Sequence, residues 1–470
     1  METLVNIKLL KSEVQLFLFS LPILLVFDNP TVLCINYLIV ASVTSFLLLK
    51  KKKINPFSFY FILFFILNIY ILVPATNFLF FGKPIFLPEN YRGSYVDDSF
   101  HYLAQYVKYS TYFVLFFLII PRTKKEGSTV NGLRIPFSYA FALFLFGILV
   151  LFFQVYTSGA YKYIGNHGFV RQYLFSQPPF FSYFVSLGIY FSFKEIGLKK
   201  VSKLMALITF ITLLFYCFFW VKIGIRGSAF YPLMICVLAF FRTQKLSTYK
   251  RFFKKRYLIY LFAVYLGFMY FSIRTRIYNK DGTRKENPTI EDVISLVKKR
   301  PDFLNPGTLE YGASYFNFSV MMHNGYEQDY PLQAYVEGLS TLGKPILKYF
   351  IKYDVGLFYR YRDQFFEERK KKLGKSGGTG YSLQYEFYMQ GYILMILISF
   401  LVAFFFHKVS FNNERKGGIW EIYAVLLFTI LITFPRSSLT LNFFITRFFY
   451  SIIIYTFLKI VRIDESYNES

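Results

Sequence analysis

"KIGIRGSAFYPLMICVLAFF", residues 222–241, opens with two cations and two glycines and then runs apolar for about the length of a membrane helix. A leucine at position 226 would enter a bilayer more easily than an arginine does, so Arg226 at this mouth needs a reason. The same pattern, an apolar run bounded by short basic patches, recurs along all 470 residues. With 55% hydrophobic and 22% aromatic residues against 17% charged, one globular core could not absorb the apolar material. The chain reads as an all-α integral membrane protein whose length counts spans rather than soluble domains.

Twelve spans are predicted: Leu9–Phe27, Thr31–Leu49, Phe57–Ala75, Tyr102–Ile120, Phe137–Tyr156, Pro179–Phe193, Val201–Val221, Gly227–Phe241, Tyr257–Ile273, Tyr385–Phe406, Ile419–Phe434 and Leu441–Ile460. Lys8 and Lys11 ahead of the first run resemble a signal peptide, but no small-x-small site follows, so it is read as an uncleaved helix. Lys50 to Lys53, Arg122, Lys124, Lys125, Arg134, Lys194, Lys199, Lys200, the seven cations of "RTQKLSTYKRFFKKR" and Lys408, Arg415 and Lys416 all fall in one alternate set of loops. The other short loops hold only Lys83, Arg92, Lys162, Arg171, Lys222, Arg226 and Arg436, so both termini are expected in the cytoplasm. This use of Lys and Arg also accounts for the net charge of +26 without nucleic acid. The expected organisation is one integrated domain: nine spans over 1–273, an external loop over 274–380, and three spans with a cytoplasmic tail over 381–470.

That loop, Arg274 to Gly380, is 107 residues long and mixes 18 Lys/Arg with 13 Asp/Glu and interleaved aromatics. Its composition predicts short interfacial helices, "DVISLVKK" among them, rather than a tail. Three cysteines within apolar runs (Cys34, Cys217, Cys236) and four scattered histidines indicate neither a disulfide framework nor a metal site. No Walker lysine, GxSxG elbow or HExxH is present, and neither metal nor cofactor is expected.

Arg226 gains meaning from its company. It opens the eighth span on the external side, where a helix N-terminus already favours anions. Arg436, in "TFPRSSLTLNFF", occupies the matching mouth between the last two spans. Arg447 lies about two turns inside the twelfth span, where a guanidinium needs a partner. Arg274 and Arg276 leave the ninth span on the same side, and Arg171 follows "YIGNHGFVRQY" in another external loop. Such a set suits a multiply charged anion, such as a lipid diphosphate, or else an ion-pair network with loop carboxylates. Glu386, nearly the only carboxylate read as lying within a span, falls one turn after Ser382 in "SGGTGYSLQYEFYMQGY". It could balance an arginine or take a proton from a sugar hydroxyl, and His323 in the long loop is a second candidate base.

These features together resemble the bacterial O-antigen and capsule polysaccharide polymerases of the Wzy type. The resemblance rests on "GIRGS" opening a span, on "LEYGAS…MMHNGYEQDYPLQAYVEGLSTLGKPI", and on the glycine-rich turn with Gly378, Gly380, Ser382, Glu386, Tyr388 and Gly391. Met389-Gln390 departs from the family pattern. The resemblance implies an enzyme of the cytoplasmic (inner) membrane that acts at its external, periplasmic face. A glycan held on undecaprenyl diphosphate would be transferred to an incoming lipid-linked repeat unit, with inversion and without metal. Arg226, Arg436, Arg447 and Arg276 would meet the diphosphate, with Glu386 or His323 on the acceptor side. The implied partners are the lipid-linked oligosaccharide, as donor and acceptor, membrane lipids and, as a further candidate, a chain-length regulator protein. An O-antigen ligase and a lipid-linked oligosaccharide flippase are the competing readings.

Overall fold

In the computed structural model, residues 2–52, 54–56, 58–84, 99–120, 133–163, 180–223, 226–243, 288–299, 392–431 and 441–460 are described, together with positions 277, 285, 315, 318, 319 and 322. Every regular element among them is helical: α1 (Glu2–Val26), α2 (Pro30–Phe46, extended by a π-helical turn Leu47–Lys51), α3 (Phe59–Phe81), α4 (Ser99–Ile119), α5 (Phe137–Thr157), α6 (Phe180–Gly197), α7 (Lys203–Ile223), α8 (Arg226–Arg242), α9 (Ile290–Lys299), α10 (Tyr392–Arg415), α11 (Ile419–Leu431) and α12 (Leu441–Ile460). Five segments are long and apolar enough to cross a membrane: Pro30–Lys51, Phe59–Phe81, Phe137–Thr157, Lys203–Trp220 and Ile393–Arg415. Large apolar side chains such as Phe80, Leu149, Phe153, Leu204 and Ile393 point outward from these helices, as they do where lipid is the solvent. The fold is that of a helical membrane protein.

Helix starts follow local chemistry. Asn29 caps α2 by accepting from the Thr31 and Val32 amides at 2.9 and 3.3 Å, with Pro30 in the first turn, where its missing N–H costs nothing. Ser58 caps α3 through the Phe61 amide at 3.2 Å, and Gly82 closes that helix at φ 68°.

The described parts of eleven of the twelve predicted segments are helical, and five of these helices have the length and apolarity of a span. Positions 385–391, 432–434 and the whole ninth segment, Tyr257–Ile273, lie outside the described residues. Several boundaries move. α3 continues to Phe81 past the predicted end at Ala75, and α10 to Arg415 past Phe406. Hydropathy marks where the apolar solvent would end, whereas the backbone keeps its hydrogen bonds into the interface until a cap stops it. Within that extension the Thr76 hydroxyl is satisfied by donating back to the Leu72 carbonyl at 2.7 Å. Part of the long loop is described: α9 is the "DVISLVKK" segment, amphipathic as expected, with Val293 buried against Ile277.

The helices alternate in direction. The Tyr60 amide, at the start of α3, donates to Ser410 Oγ near the end of α10, and the Tyr60 hydroxyl donates to the Phe117 carbonyl near the end of α4. Lys52, just past the π-turn, pairs with Glu13 of α1 at 2.9 Å and donates to the Leu118 carbonyl. α12 runs antiparallel to α11: Leu426 meets Arg447, and Gly418, before α11, lies against Tyr455. α5 and α6 form the most extensive described pair, brought together by Gly147 and Gly188. A Cβ at Gly188 would stand 2.4 Å from the Phe144 backbone nitrogen, so only glycine fits this crossing.

Candidate functional site

Arg447 sits in the seventh position of α12, about 9 Å from the helix start at 1.5 Å per residue. It is only 6% exposed. Its Nε donates to the Leu426 carbonyl of α11 at 3.3 Å, and the guanidinium lies 5.7 Å above the ring of Tyr183, which α6 supplies. Tyr450, one turn further along α12, has its ring 5.3 Å from that of Tyr183. Tyr423 of α11 completes the surround and ties α11 to α12 by donating to the Phe444 carbonyl at 3.2 Å. A carbonyl dipole and aromatic faces thus replace water around the cation. A guanidinium held in so apolar a setting interacts with an anion far more strongly than one in water.

Arg226 is the first residue of α8, as the sequence requires of a helix-opening arginine. The ends of the bundle relate the two arginines. Arg242 closes α8 and lies 3.5 Å from Glu421 in the first turn of α11, so α8 begins at the opposite end, where α11 finishes. α12 also starts at that end. Arg226 and the start of the Arg447-bearing helix therefore share one end of the molecule.

At the other end lies a cluster that sequence reasoning missed. Glu421 is 0% exposed. Its Oε2 accepts from the Leu133 amide at 2.8 Å, and its Oε1 accepts from Lys194 Nζ at 2.7 Å and from the Tyr190 hydroxyl at 2.8 Å. Arg242 donates to Tyr190 Oη at 2.6 Å, to Asn413 Oδ1 at 2.8 Å and to the Asn413 carbonyl at 3.0 Å. Lys194 further donates to the Leu133 carbonyl at 2.7 Å. Four helices, α6, α8, α10 and α11, and the strand of chain entering α5 are pinned to one carboxylate.

The structure adds to the sequence reading in two ways. Lys52, Lys194 and Arg242, counted as loop cations, are held in ion pairs, with Lys52 and Lys194 buried. Glu421, wholly buried in the first turn of α11, is a carboxylate that the reading of Glu386 does not weigh. A loop-by-loop charge count cannot see pairing between helix ends that are distant in sequence. The one local hint was a glutamate in the first turn of an apolar run, three residues after Gly418. Lys108, within α4, pairs with Asp28 at 3.1 Å.

Glu386, His323, Arg171, Arg274, Arg276, Arg436, Gly378, Gly380 and Ser382 lie outside the described residues. Cys34, Cys217 and Cys236 are free. Among the described residues no group of three His, Cys, Asp or Glu side chains is placed to hold a metal ion. Comparison of the chain with protein-family models, with curated proteins and with solved structures finds no match.

Proposed function

We propose that this chain is a polysaccharide polymerase of the bacterial cytoplasmic membrane, joining undecaprenyl-diphosphate-linked repeat units at the external face. In this reading twelve spans cross the bilayer, both termini are cytoplasmic, and the Glu421 cluster marks the cytoplasmic end. The observation that carries the proposal is Arg447, a guanidinium kept in a nearly dry aromatic surround near the end of the bundle where α8 begins with Arg226. Two arginines from separate helices at one end, one of them desolvated, suit a diphosphate better than a single surface cation would.

The reaction needs little more than charge stabilisation and alignment. The acceptor hydroxyl oxygen attacks the anomeric carbon of the donor glycan. The bond from that carbon to the diphosphate oxygen breaks, and undecaprenyl diphosphate leaves with the electron pair. The hydroxyl proton passes to Glu386 or His323, and displacement on one face inverts the anomeric centre. Arg226, Arg436, Arg447 and Arg276 neutralise the charge that builds on the departing diphosphate, with Arg274 and Arg171 as outer contacts. Gly378, Gly380 and Ser382 shape the turn that brings Glu386 to the acceptor.

The test is to incubate the purified protein with its lipid-linked repeat unit alone, without nucleotide sugar or metal, and to resolve the glycans by size. A ladder of repeat multiples is expected, reduced roughly 100-fold or more by Arg226→Ala, the loss typical for removing one charge-stabilising donor. Transfer of a single unit to another lipid acceptor would make the protein a ligase. Passage of intact substrate across liposomes, with no new glycosidic bond, would make it a transporter.

A further inference from the structure

α10 carries one stripe of outward-facing side chains from end to end: Leu397, Leu401, Phe404, Lys408, Phe411 and Arg415, spaced by four, three, four, three and four residues. Such spacing keeps all six on one face. The four apolar members are between 38% and 51% exposed, and both cations are exposed. The cations fold back on their own helix. Lys408 Nζ lies 5.8 Å above the Phe404 ring, and the Arg415 guanidinium 4.6 Å above that of Phe411. Leu397 and Lys408 are eleven residues apart, about 16 Å along the axis, close to the thickness of one hydrocarbon leaflet. Arg415, two turns further, stands at headgroup depth.

The charge around this stripe is one-sided. Among the described residues, carboxylates at this end are turned inward: Glu13 onto Lys52, Glu421 into its cluster and Glu195 into the protein. Glu414, next to Arg415, acts on Arg242 and His407. The outward face is thus left to cations above an apolar track.

We propose that this face of α10 is a binding site for one anionic phospholipid, with an acyl chain along Leu397, Leu401 and Phe404 and the phosphate between Lys408 and Arg415. The aromatic rings beneath the cations hold them at the depth where the phosphate sits and shorten their reach into water. A soluble anion would use the cations but not the track below them, and a zwitterionic lipid would use the track but gain little from two cations.

The test extracts the full-length protein from vesicles of equal phosphatidylglycerol and phosphatidylcholine and measures the lipid retained. Wild type is expected to retain phosphatidylglycerol preferentially. The Lys408→Gln/Arg415→Gln variant should lose that preference by roughly thirtyfold, the product of about fivefold for each cation. The charge-keeping Lys408→Arg/Arg415→Lys variant should retain it, and so should Lys199→Gln/Lys203→Gln, which removes equally exposed cations at the same end. Thermal midpoints in phosphatidylcholine alone identify folded variants. If the double variant does not fold, the two single Gln variants serve, each expected to lose about fivefold. Unchanged preference in the Gln variants overturns the proposal, as does equal loss in the Lys199/Lys203 control, which would mean diffuse attraction. Displacement of the lipid by inorganic phosphate would also overturn it, because the apolar track would then contribute nothing.

Discussion

Removing the Glu421 carboxylate would leave Lys194 and Arg242 facing each other in a buried setting without the carboxylate that bonds Lys194 directly, while Glu195 and Glu414 act on them through space. A buried pair broken from one side typically costs about 3–5 kcal/mol, so Glu421→Gln should lower the unfolding midpoint sharply. Adding Lys194→Met to that variant should recover part of the loss, because Arg242 keeps Tyr190 and Asn413 while the stranded ammonium is gone. Equal midpoints for single and double variants would mean that Lys194 and Glu421 do not act as a pair. Arg447 is expected to behave in the opposite way. Met matches much of its length and suits the surrounding rings, so Arg447→Met should leave the midpoint within a few degrees while abolishing the glycan ladder. A variant that unfolds instead would make Arg447 a structural residue. The burial of Arg447 was legible because an arginine within an apolar run has no neutral explanation. Glu421 was not, because its partners, from Arg242 to Leu133, lie 179 to 288 residues away on three other segments, and no local pattern announces which helix ends will meet.

Helices were read well wherever an apolar run sufficed, and less well where polar side chains decided the boundary. The α5–α6 crossing shows what a span count omits. Its closeness depends on Gly147 and Gly188, which in the sequence are two unremarked glycines among aromatic and aliphatic residues. Gly188→Ala would force the helices apart against the Phe144 backbone, which no rotamer change can relieve, and should cost roughly 1–3 kcal/mol in an unfolding titration. The same substitution at Gly82, where no atom lies within 4 Å, acts only through the strained positive φ. α9 illustrates the polar case. Thr289 and Asp292 cap it reciprocally: the Thr289 amide donates to Asp292 Oδ2 at 2.8 Å, and the Asp292 amide donates to Thr289 Oγ1 at 3.3 Å. Lys285, donating to Asp292 at 2.6 Å, and then the Thr289 amide hold that carboxyl below the ordinary carboxylate range. Because the folded value is depressed, the cap contributes above the ordinary carboxylate pKa and is lost as pH falls through the depressed one. Amide exchange over 290–299, corrected for its intrinsic pH dependence, should therefore accelerate on acidification in wild type. In Asp292→Asn it should be fast at all pH values. A pH-independent wild type would show that the cap does not hold α9.

The alternation of the whole bundle can be tested against the distribution of cations that first suggested it. The ends of α2, α4, α6, α8 and α10 meet the starts of α3, α5 and α11 at the Glu421 end, joined by neutral contacts of Tyr60 and by bonds of Lys52, Lys194, Arg242 and Glu421. Lys199 and Lys416 are exposed at that end, whereas Lys83 follows Gly82 at the finish of α3, at the other. Loop composition assigns the first two to the cytoplasm and Lys83 to the outside. The two lines of argument share Lys52, Lys194 and Arg242, and the bonds of Tyr60 to Ser410 and to the Phe117 carbonyl give the relation of α3, α4 and α10 without any charge. The native thiols do not interfere, because Cys34 and Cys217 are buried and Cys236 is partly so, within apolar helices. A membrane-impermeant maleimide applied to intact cells should then label Lys83→Cys and spare Lys199→Cys and Lys416→Cys, both of which should react once the membrane is opened. Labelling of all three in intact cells would mean that the helices do not alternate across a bilayer, and would remove the premise of an external active face. A clean inversion would keep the bundle and its Glu421 cluster but place Arg226 and Arg447 on the cytoplasmic side. A glycan carried on the external leaflet could not reach them there, and the polymerase reading would fall with the orientation rather than with the fold.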